Sequence, residues 1–322
     1  DAMEGAVDVL VNAVFHWSDA DKAWLKNAFF SNGMGWLWEF LRDYLFNHWT
    51  WLFGLLPALL LERLRPVFSG RVFDRHLLMD GVYPFFNALV SVLATAVVVA
   101  TIAEFYRSHV PFINTGLLDG KPLWLQAVGV FLITDLMFYI SHRLLHEIRW
   151  FWYFHAIHHS QTRLNPLTTF RSHPGELVLK TIIRTIPIGV VGGEPSTWFV
   201  FLVLNNFWGY FIHANIRTGL GILGRVIVTP QYHRIHHSIE PRHFDKNYGE
   251  RLVLWDWLFG TLYRGDEYPK TGVPDTAWIM ETGSRPHELL RAYACQLAYP
   301  FVMIGRSVRG VLRGRTAHPP LE

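Results

Sequence analysis

Histidine is the residue type in this chain whose number and spacing point most directly to chemistry. The chain has 17 histidines in 322 residues, and ten of them lie between His142 and His237. Residues four apart share one face of a helix, with Cβ atoms about 5–6 Å apart, so such a pair can reach a common metal ion. An adjacent histidine points about 100° further round the helix, toward a second ion. Three spacings have this form: His142-Arg-Leu-Leu-His146, His155-Ala-Ile-His158-His159 and His233-Arg-Ile-His236-His237.

The histidine content of the chain decides how much weight each spacing carries. About 0.05 matches to His-x-x-His-His are expected by chance, so two matches strongly favour a metal site. About one match to His-x-x-x-His is expected in the same way, and the first spacing gains its weight from lying nine residues before the second. An isolated histidine pair on a helix is more often a surface or hydrogen-bonded feature than a pair of ligands.

Two further histidines are weaker candidates for the site. His213, in Tyr210-Phe-Ile-His213-Ala-Asn215, is interpreted either as a ninth ligand or as an interfacial histidine. His173 is interpreted as a ligand, as a residue that supports one, or as a structural residue. Eight or nine imidazoles exceed the capacity of one ion, whereas two ions with four or five nitrogen ligands each would use them all. Nitrogen ligands suit Fe, Zn, Cu and Ni, so the ligands alone leave the metal open.

The composition indicates a membrane protein. Hydrophobic residues make up 51% of the chain and charged residues 17%, against about 25% charged in soluble proteins. The 14 Trp, 12 Tyr and 24 Phe suit a chain that crosses the boundary between hydrocarbon and headgroups. The single cysteine, Cys295, excludes an intrachain disulfide and a cysteine-based zinc or iron–sulfur site. A net charge of only +3 predicts no nucleic-acid partner.

Apolar runs predict an all-α, multi-pass integral membrane helical bundle that forms a single domain over residues 1–322. The three strongest runs are Tyr44–Leu61, Val82–Phe105 and Leu123–Ile140, each close to the roughly 20 residues that a bilayer crossing needs. The predicted parts of the chain are an amphipathic segment at 1–33, three transmembrane helices within 34–140, the first two histidine spacings at 141–176, a spanning or re-entrant helical hairpin at 177–212, the third spacing at 213–270 and a C-terminal interfacial segment at 271–322.

Basic residues predict which side of the membrane the histidines occupy. The first apolar run is followed by Arg63, Arg65, Arg71 and Arg75, and such loops are usually cytoplasmic. Two further crossings then place His142 on the same side, and a hairpin that goes out and back places the third spacing there too. The histidines are therefore expected in a cytoplasmic helical cap on the bundle, in a bacterial inner membrane.

The stretch from Asp135 to Arg264 resembles the fatty acid hydroxylase and sterol desaturase superfamily of membrane-bound di-iron enzymes. The resemblance includes residues around the histidines as well as the histidines themselves. It is carried by Asp135, Tyr139-Ile-Ser-His142-Arg-Leu-Leu-His146-Glu147, Trp152-Tyr-Phe-His155-Ala-Ile-His158-His159-Ser160, Tyr232-His233-Arg-Ile-His236-His237, Asn247-Tyr248-Gly249 and Leu254-Trp255-Asp256-Trp257-Leu258-Phe259-Gly260-Thr261. The trailing residues are similar to the alkylglycerol-monooxygenase-like and bacterial sterol-desaturase-like branch.

The resemblance implies a ligand set and supporting residues. Two iron ions, with zinc as a possible substitute, would be bound by His142, His146, His155, His158, His159, His213, His233, His236 and His237. Glu147 would be either a carboxylate that orients a ligand or an ordinary surface residue near Arg149. Asn215, Asn206 and Asp135 lie near predicted helix ends, where each could hold an imidazole in one tautomer.

The resemblance also implies a reaction: O2-dependent hydroxylation of a C–H bond in a membrane lipid or fatty-acyl chain. Desaturation or ether-lipid cleavage at the same centre, and hydrolysis by a binuclear zinc site, are the alternatives. A haem protein or a cation transporter fits less well, because the histidines cluster at helix ends. The chain carries no redox module of its own, so a separate electron donor of the cytochrome b5, ferredoxin or reductase kind is expected. The lipid and the oligomeric state stay open.

Overall fold

The computed structural model describes residues 54–70, 73–110, 112, 115–192, 207–274 and 276–312, and this part of the chain is helical, with isolated β-bridges but no strand. The predicted all-α class is confirmed for these residues. Residues 207–213 are helical. The other helices are α1 (Leu56–Leu64), α2 (Arg75–His109), α3 (Leu123–Glu147), α4 (Arg149–His159), α5 (Pro174–Val191), α6 (Pro230–His236), α7 (Leu254–Phe259) and α8 (Pro286–Leu312), with 3-10 turns at Pro166–Phe170, Gly221–Arg225, Pro241–His243 and Ala277–Ile279.

Helix α3 is long and apolar enough to cross a membrane, and it is the one helix among the described residues that meets both conditions. Its 25 residues extend roughly 37 Å at about 1.5 Å per residue, more than the ~30 Å of a hydrocarbon core. Apolar side chains on its first half are exposed: Leu123 is 67% exposed and Trp124 68%. The predicted run Leu123–Ile140 lies within α3.

The other predicted crossings are described only in part. Helix α2, with 35 residues, contains the predicted run Val82–Phe105. The run Tyr44–Leu61 lies mostly outside the described residues, and α5 forms the first arm of the predicted hairpin, whose middle is also outside them. The number of membrane crossings therefore stays a prediction.

A corner in the chain brings the first two histidine spacings together. Helix α3 ends at Glu147 and α4 begins at Arg149, so Ile148 alone separates them, in an extended conformation with φ −92° and ψ 108°. The two helices pack against each other. As a result, His142 and His146 at the end of α3 lie beside the histidines at the end of α4.

A buried ion pair between Asp80 of α2 and Arg171 holds the segment that follows α4. Arg171 Nη1 donates to Asp80 Oδ1 at 2.9 Å, and Arg171 Nε donates to the carbonyl of Ile157 at 3.0 Å. Thr168 Oγ1 also donates to Asp80, at 2.7 Å. Both charged side chains are fully buried, and removing one partner of such a pair costs about 3–5 kcal/mol. The pair therefore anchors the end of α4 to α2.

Helix α8 packs across α4 and α2. Its Ala292 and Tyr293 join a buried apolar cluster with Ile157 of α4 and Met79 of α2. The other face of α8 exposes apolar side chains, among them Phe301. The predicted C-terminal interfacial segment thus places one face on the protein and leaves an apolar face outside.

Candidate metal centre

The nine predicted ligand histidines lie in two buried groups. Within each group, the nitrogens that could bind metal are all within 4.8 Å of one another. Group A comprises His142, His146, His155, His159 and His236. Group B comprises His158, His213, His233 and His237. All nine imidazoles are at most 7% exposed. This is the placement that two metal ions require, and metal binding itself stays a prediction.

Helical periodicity explains how each His-x-x-His-His spacing serves both groups. In α4, His155 and His159 are four residues apart and both belong to group A, while the intervening His158 points to group B. Around α6 the roles are exchanged: His233 and His237 belong to group B and His236 to group A. The two spacings therefore interleave, and each group receives ligands from both.

Backbone carbonyls fix the tautomer of four imidazoles. The Nδ1 atom of His142 lies 2.8 Å from the carbonyl oxygen of Tyr248, and that of His236 lies 2.8 Å from the carbonyl oxygen of Lys246. His158 and His213 form the same contact, with Arg171 at 3.2 Å and Gly209 at 2.8 Å. A carbonyl oxygen only accepts, so Nδ1 carries the hydrogen and Nε2 presents a lone pair.

These lone pairs face one another, as they would around a bound cation. The Nε2 atoms of His158 and His213 are 3.2 Å apart, although each Nδ1 already carries the hydrogen. Neither can donate to the other, and a cation that binds both nitrogens removes the repulsion. In group A, the Nε2 atoms of His142, His146 and His155 are buried without a hydrogen-bond partner. The donor set therefore fits one cation in each group.

Burial keeps the histidines neutral. Desolvation, followed by neighbouring imidazoles, lowers the pKa of His159, His233 and His237 well below its usual value. Burial also lowers the pKa of His213 to about 3 and that of His236 to about 4. Neutral imidazole is the form that binds metal, so protons compete weakly for these ligands near pH 7.

Glu176 is a buried carboxylate that contacts His155, and no sequence pattern predicts it. Its Oε1 accepts from His155 Nδ1 at 3.0 Å and contacts Ser172 Oγ at 3.4 Å. Lys180, one turn along α5, forms an ion pair with the same oxygen. A carboxylate on Nδ1 fixes the ring of His155 and makes its Nε2 a stronger donor toward group A. In group B, the Nδ1 partners of His158 and His213 are backbone carbonyls.

The residues after the third spacing form a tight loop that supports His142. The carboxylate of Asp256 accepts from the backbone N–H of Tyr248 at 2.8 Å and of Gly249 at 2.6 Å. A Cβ at Gly249 would lie 2.7 Å from the carbonyl oxygen of Leu252, so this position requires glycine. The loop thereby presents the carbonyl of Tyr248 to His142 Nδ1.

The supporting residues expected from the sequence lie outside both groups. Glu147 is exposed and accepts from Arg143 Nε at 2.6 Å. The carboxylate of Asp135 accepts from Trp255 Nε1 at 2.9 Å and from the backbone of Leu252. It therefore ties α3 to the start of α7. Asn206 lies outside the described residues.

Asn215 and His173 contact the surroundings of the site. The side chain of Asn215 accepts from Arg234 Nη2 at 3.1 Å and donates to the carbonyl of Phe68 at 2.9 Å. His173 uses both ring nitrogens: Nδ1 accepts from the backbone of Gly175 at 2.9 Å, and Nε2 donates to the carbonyl of Leu297 at 3.1 Å. His173 belongs to neither group.

A cavity of about 280 Å³ lies beside group A. His146, His159 and His236 of group A line it, and no group B histidine does. Most of its wall is aromatic or apolar and comes from α4, α8 and the loops between α6 and α8. These wall residues include Trp152, Tyr153, Phe244, Trp278, Tyr299 and Met303. An apolar chain placed in this cavity would lie against group A and away from group B.

Comparison with known proteins identifies relatives of this region. Residues 127–261 match the family model for fatty acid hydroxylases. An ornithine lipid hydroxylase of Rhizobium tropici is 33% identical over 212 residues, 65% of this chain and 59% of that protein. An alkylglycerol monooxygenase of Homo sapiens is 33% identical over 149 residues, 46% of this chain and 32% of that protein. A Delta(7)-sterol-C5(6)-desaturase of Nicotiana tabacum is 31% identical over 136 residues, 40% of this chain and 46% of that protein.

The aligned stretches cover less than two thirds of each of these relatives. No solved structure gives a significant match. The matched residues 127–261 include all nine histidines of groups A and B. The resemblance to the fatty acid hydroxylase and sterol desaturase superfamily, stated on the histidines and the residues around them, is therefore confirmed.

Proposed function

We propose that this chain is an O2-dependent lipid hydroxylase that binds one iron ion in each histidine group. The observation that carries the proposal is the arrangement of two adjacent, buried sets of imidazole lone pairs beside a cavity with an apolar wall. The relatives named as a lipid hydroxylase and an alkylglycerol monooxygenase support a lipid as the substrate.

The residues of the chain have three tasks in this reaction. When bound, the two irons would supply the reduction of O2 and the oxidation of a C–H bond. Backbone carbonyls hold two imidazoles of each group in a fixed tautomer, which keeps the geometry of these ligands constant. The aromatic wall, with Trp152 and Tyr299, orients the lipid chain and keeps water from the reacting carbon.

The chemistry of the ligand groups favours iron over a zinc hydrolase. Both groups consist of histidine alone among the described residues. Binuclear zinc hydrolases commonly use bridging carboxylates, which neither group contains. Desaturation and ether-lipid cleavage use the same centre and are distinguished by product.

The proposed centre lies at the membrane surface and is supported by polar residues around it. We place the histidines at the cytoplasmic ends of a multi-pass helical bundle in a bacterial inner membrane, where a separate electron donor can approach. Asn215 lies two residues after His213 and bonds to Arg234, which follows His233, so it would position group B. Glu147, at the end of α3, would act through Arg143.

Metal content and oxygen dependence test the function. The purified chain should contain about two iron ions, and turnover should need both O2 and a reductant. Lipid extracts from cells with the intact gene should contain a species heavier by one oxygen atom than extracts from cells without it. Turnover that needs neither O2 nor reductant would show a hydrolase. A product that has lost two hydrogens and gained no oxygen would show a desaturase.

A further inference from the structure

The cavity beside group A contains two arginines whose role the histidine chemistry does not explain. Arg149 at the start of α4 and Arg306 of α8 both line it. Arg149 is partly buried and Arg306 is exposed, as expected for one side chain within a cavity and one at its rim. The remaining charged lining residue outside the histidines is Asp245, whose Oδ1 accepts from Tyr248 Oη at 3.0 Å.

The surroundings of these two guanidinium groups contain no carboxylate partner among the described residues. Within the part of the chain that the structure describes, neither Arg149 nor Arg306 forms an ion pair with a carboxylate, and the polar contact of Arg306 is the sulfur of Met303 at 4.0 Å. By contrast, six arginines elsewhere pair with an aspartate or a glutamate: Arg143, Arg163, Arg171, Arg184, Arg242 and Arg251. Among the described residues, no carboxylate pairs with the two positive charges at the cavity.

We propose that this cavity selects an amphiphile with an anionic group, a carboxylate or a phosphate, which Arg149 and Arg306 bind while its chain lies along the aromatic wall toward group A. The inference rests on the proposed function, since it names the class of substrate for that centre. A guanidinium presents several N–H donors in a plane that matches both anions. Asp245 is occupied by Tyr248 and lowers the net charge of the lining without cancelling it.

Photolabelling separates the head group from the chain. The metal-loaded, full-length protein in phosphatidylcholine nanodiscs is labelled with three probes that share one diazirine-bearing C16 chain and end in a carboxylate, a phosphate or an alcohol. Labelled peptides are identified by mass spectrometry. We expect one or both anionic probes to label the peptide that contains Tyr299 and Met303 about tenfold more than the alcohol does. The anionic probe that labels this peptide more strongly shows whether the cavity prefers a carboxylate or a phosphate.

Arginine variants test the two side chains. Arg149→Gln and Arg306→Gln should each reduce labelling by the preferred anionic probe about tenfold and leave labelling by the alcohol unchanged. Arg149→Lys should keep part of the effect because it keeps the charge. The matched control is Arg309→Gln, which changes an exposed arginine of α8 that donates to the carbonyl of Gly305 and does not line the cavity.

Each outcome supports or overturns the inference independently of catalysis. Equal labelling by all three probes, or a loss of anion and alcohol labelling together in both glutamine variants, would overturn it. Selective anion labelling without any O2-dependent product would leave this inference standing and remove the proposed function. O2-dependent turnover of neutral lipids that neither glutamine variant changes would overturn this inference and leave the proposed function standing.

Discussion

Group A and group B are adjacent and use the same ligand type, but their surroundings differ. Group A has five histidines, borders the cavity, and receives a carboxylate from Glu176. Group B has four histidines and does not line the cavity, and two of its Nδ1 atoms contact the carbonyls of Arg171 and Gly209. Among the described residues, a chain in this cavity would lie against group A, whereas the surroundings of group B are polar contacts that hold its imidazoles.

The two groups are built from the same segments, yet they are surrounded differently. Because α4 and α6 each contribute to both groups, a shift of either helix would disturb both groups together. The carboxylate on His155 makes that imidazole a stronger electron donor to an ion in group A, the group that borders the cavity. The centre is thus mechanically coupled and electronically asymmetric.

Removing one ligand from each group tests the comparison with the largest expected effect. His233→Ala leaves three histidines in group B, whereas His146→Ala leaves four in group A, the number that fills a tetrahedral site. We expect His233→Ala to lower bound metal from about two ions to about one and turnover by about 100-fold or more. His146→Ala should retain both ions and lose about tenfold in turnover. Metal analysis and O2-dependent lipid turnover measure the two effects.

The control for these variants is His173→Gln. His173 lies outside both groups, and its ring nitrogens are used by Gly175 and Leu297. It should retain both metals. Equal metal loss in His233→Ala and His146→Ala would show that the number of histidines in a group does not decide how tightly that group binds its ion. Metal loss in His173→Gln would place that residue in the centre.

A second prediction concerns the carboxylate of group A. Glu176→Gln keeps the shape of the side chain and removes its charge from His155 and Lys180. We expect the group A ion to bind about 10–100-fold more weakly and the group B ion to bind as before. Titration with a chelator should then show one early and one late release of metal, where the unchanged protein releases both late.

The matched control is Glu250→Gln, which removes a partly buried carboxylate that pairs with Arg184 rather than with an imidazole. This variant should release both ions late, as the unchanged protein does. If Glu176→Gln weakens both ions equally, the carboxylate supports the whole centre and the asymmetry between the groups is lost.

The sequence was sufficient to predict the two groups in outline. The i, i+3, i+4 pattern of His155, His158 and His159 already implies two directions about 100° apart on one helix. Two such patterns therefore predict two ions. The first spacing was expected just beyond an apolar run ending at Ile140, and the structure continues the same helix to Glu147. Hydropathy falls at the end of the run, but helical hydrogen bonding does not stop there.

The supporting residues could not be predicted from the sequence, because they depend on packing between distant segments. Glu176 is 21 residues from His155 and reaches it because α5 packs on α4. Arg171 is 91 residues from Asp80, and no local pattern joins them. The cavity similarly requires α8 to lie across α4. Spacing identifies ligands within one helix, whereas tertiary contacts decide what holds them.

The smallest predicted effect concerns the polar region behind group B, where the backbone N–H of Asn215 donates to Glu62 Oε1 at 2.6 Å. Burial raises the pKa of Glu62 to about 7, although that hydrogen bond and the arginines Arg163 and Arg234 oppose the shift. Between the ordinary value of 4.5 and about 7, the folded chain keeps a proton that the unfolded chain releases. The stability that this proton provides is therefore present at low pH and lost as pH rises through 7.

Glu62→Gln removes this titration and keeps an oxygen that can accept from Asn215. The free energy of unfolding of the variant, minus that of the unchanged protein, should rise by about 2 kcal/mol from pH 5.5 to pH 7.5. The difference between the two Tm values, here called the relative Tm, should rise by a few degrees over the same range. Thermal unfolding in detergent at the two pH values measures it, and Glu240→Gln, at a surface carboxylate paired with Arg242, is the control. A relative Tm that falls or stays constant as pH rises would show that Glu62 is ionised in the folded chain. An ionised Glu62, attracted by the charge of Arg234, would then lie behind group B. Both groups would have a charged carboxylate nearby, and the contrast between their surroundings would be lost.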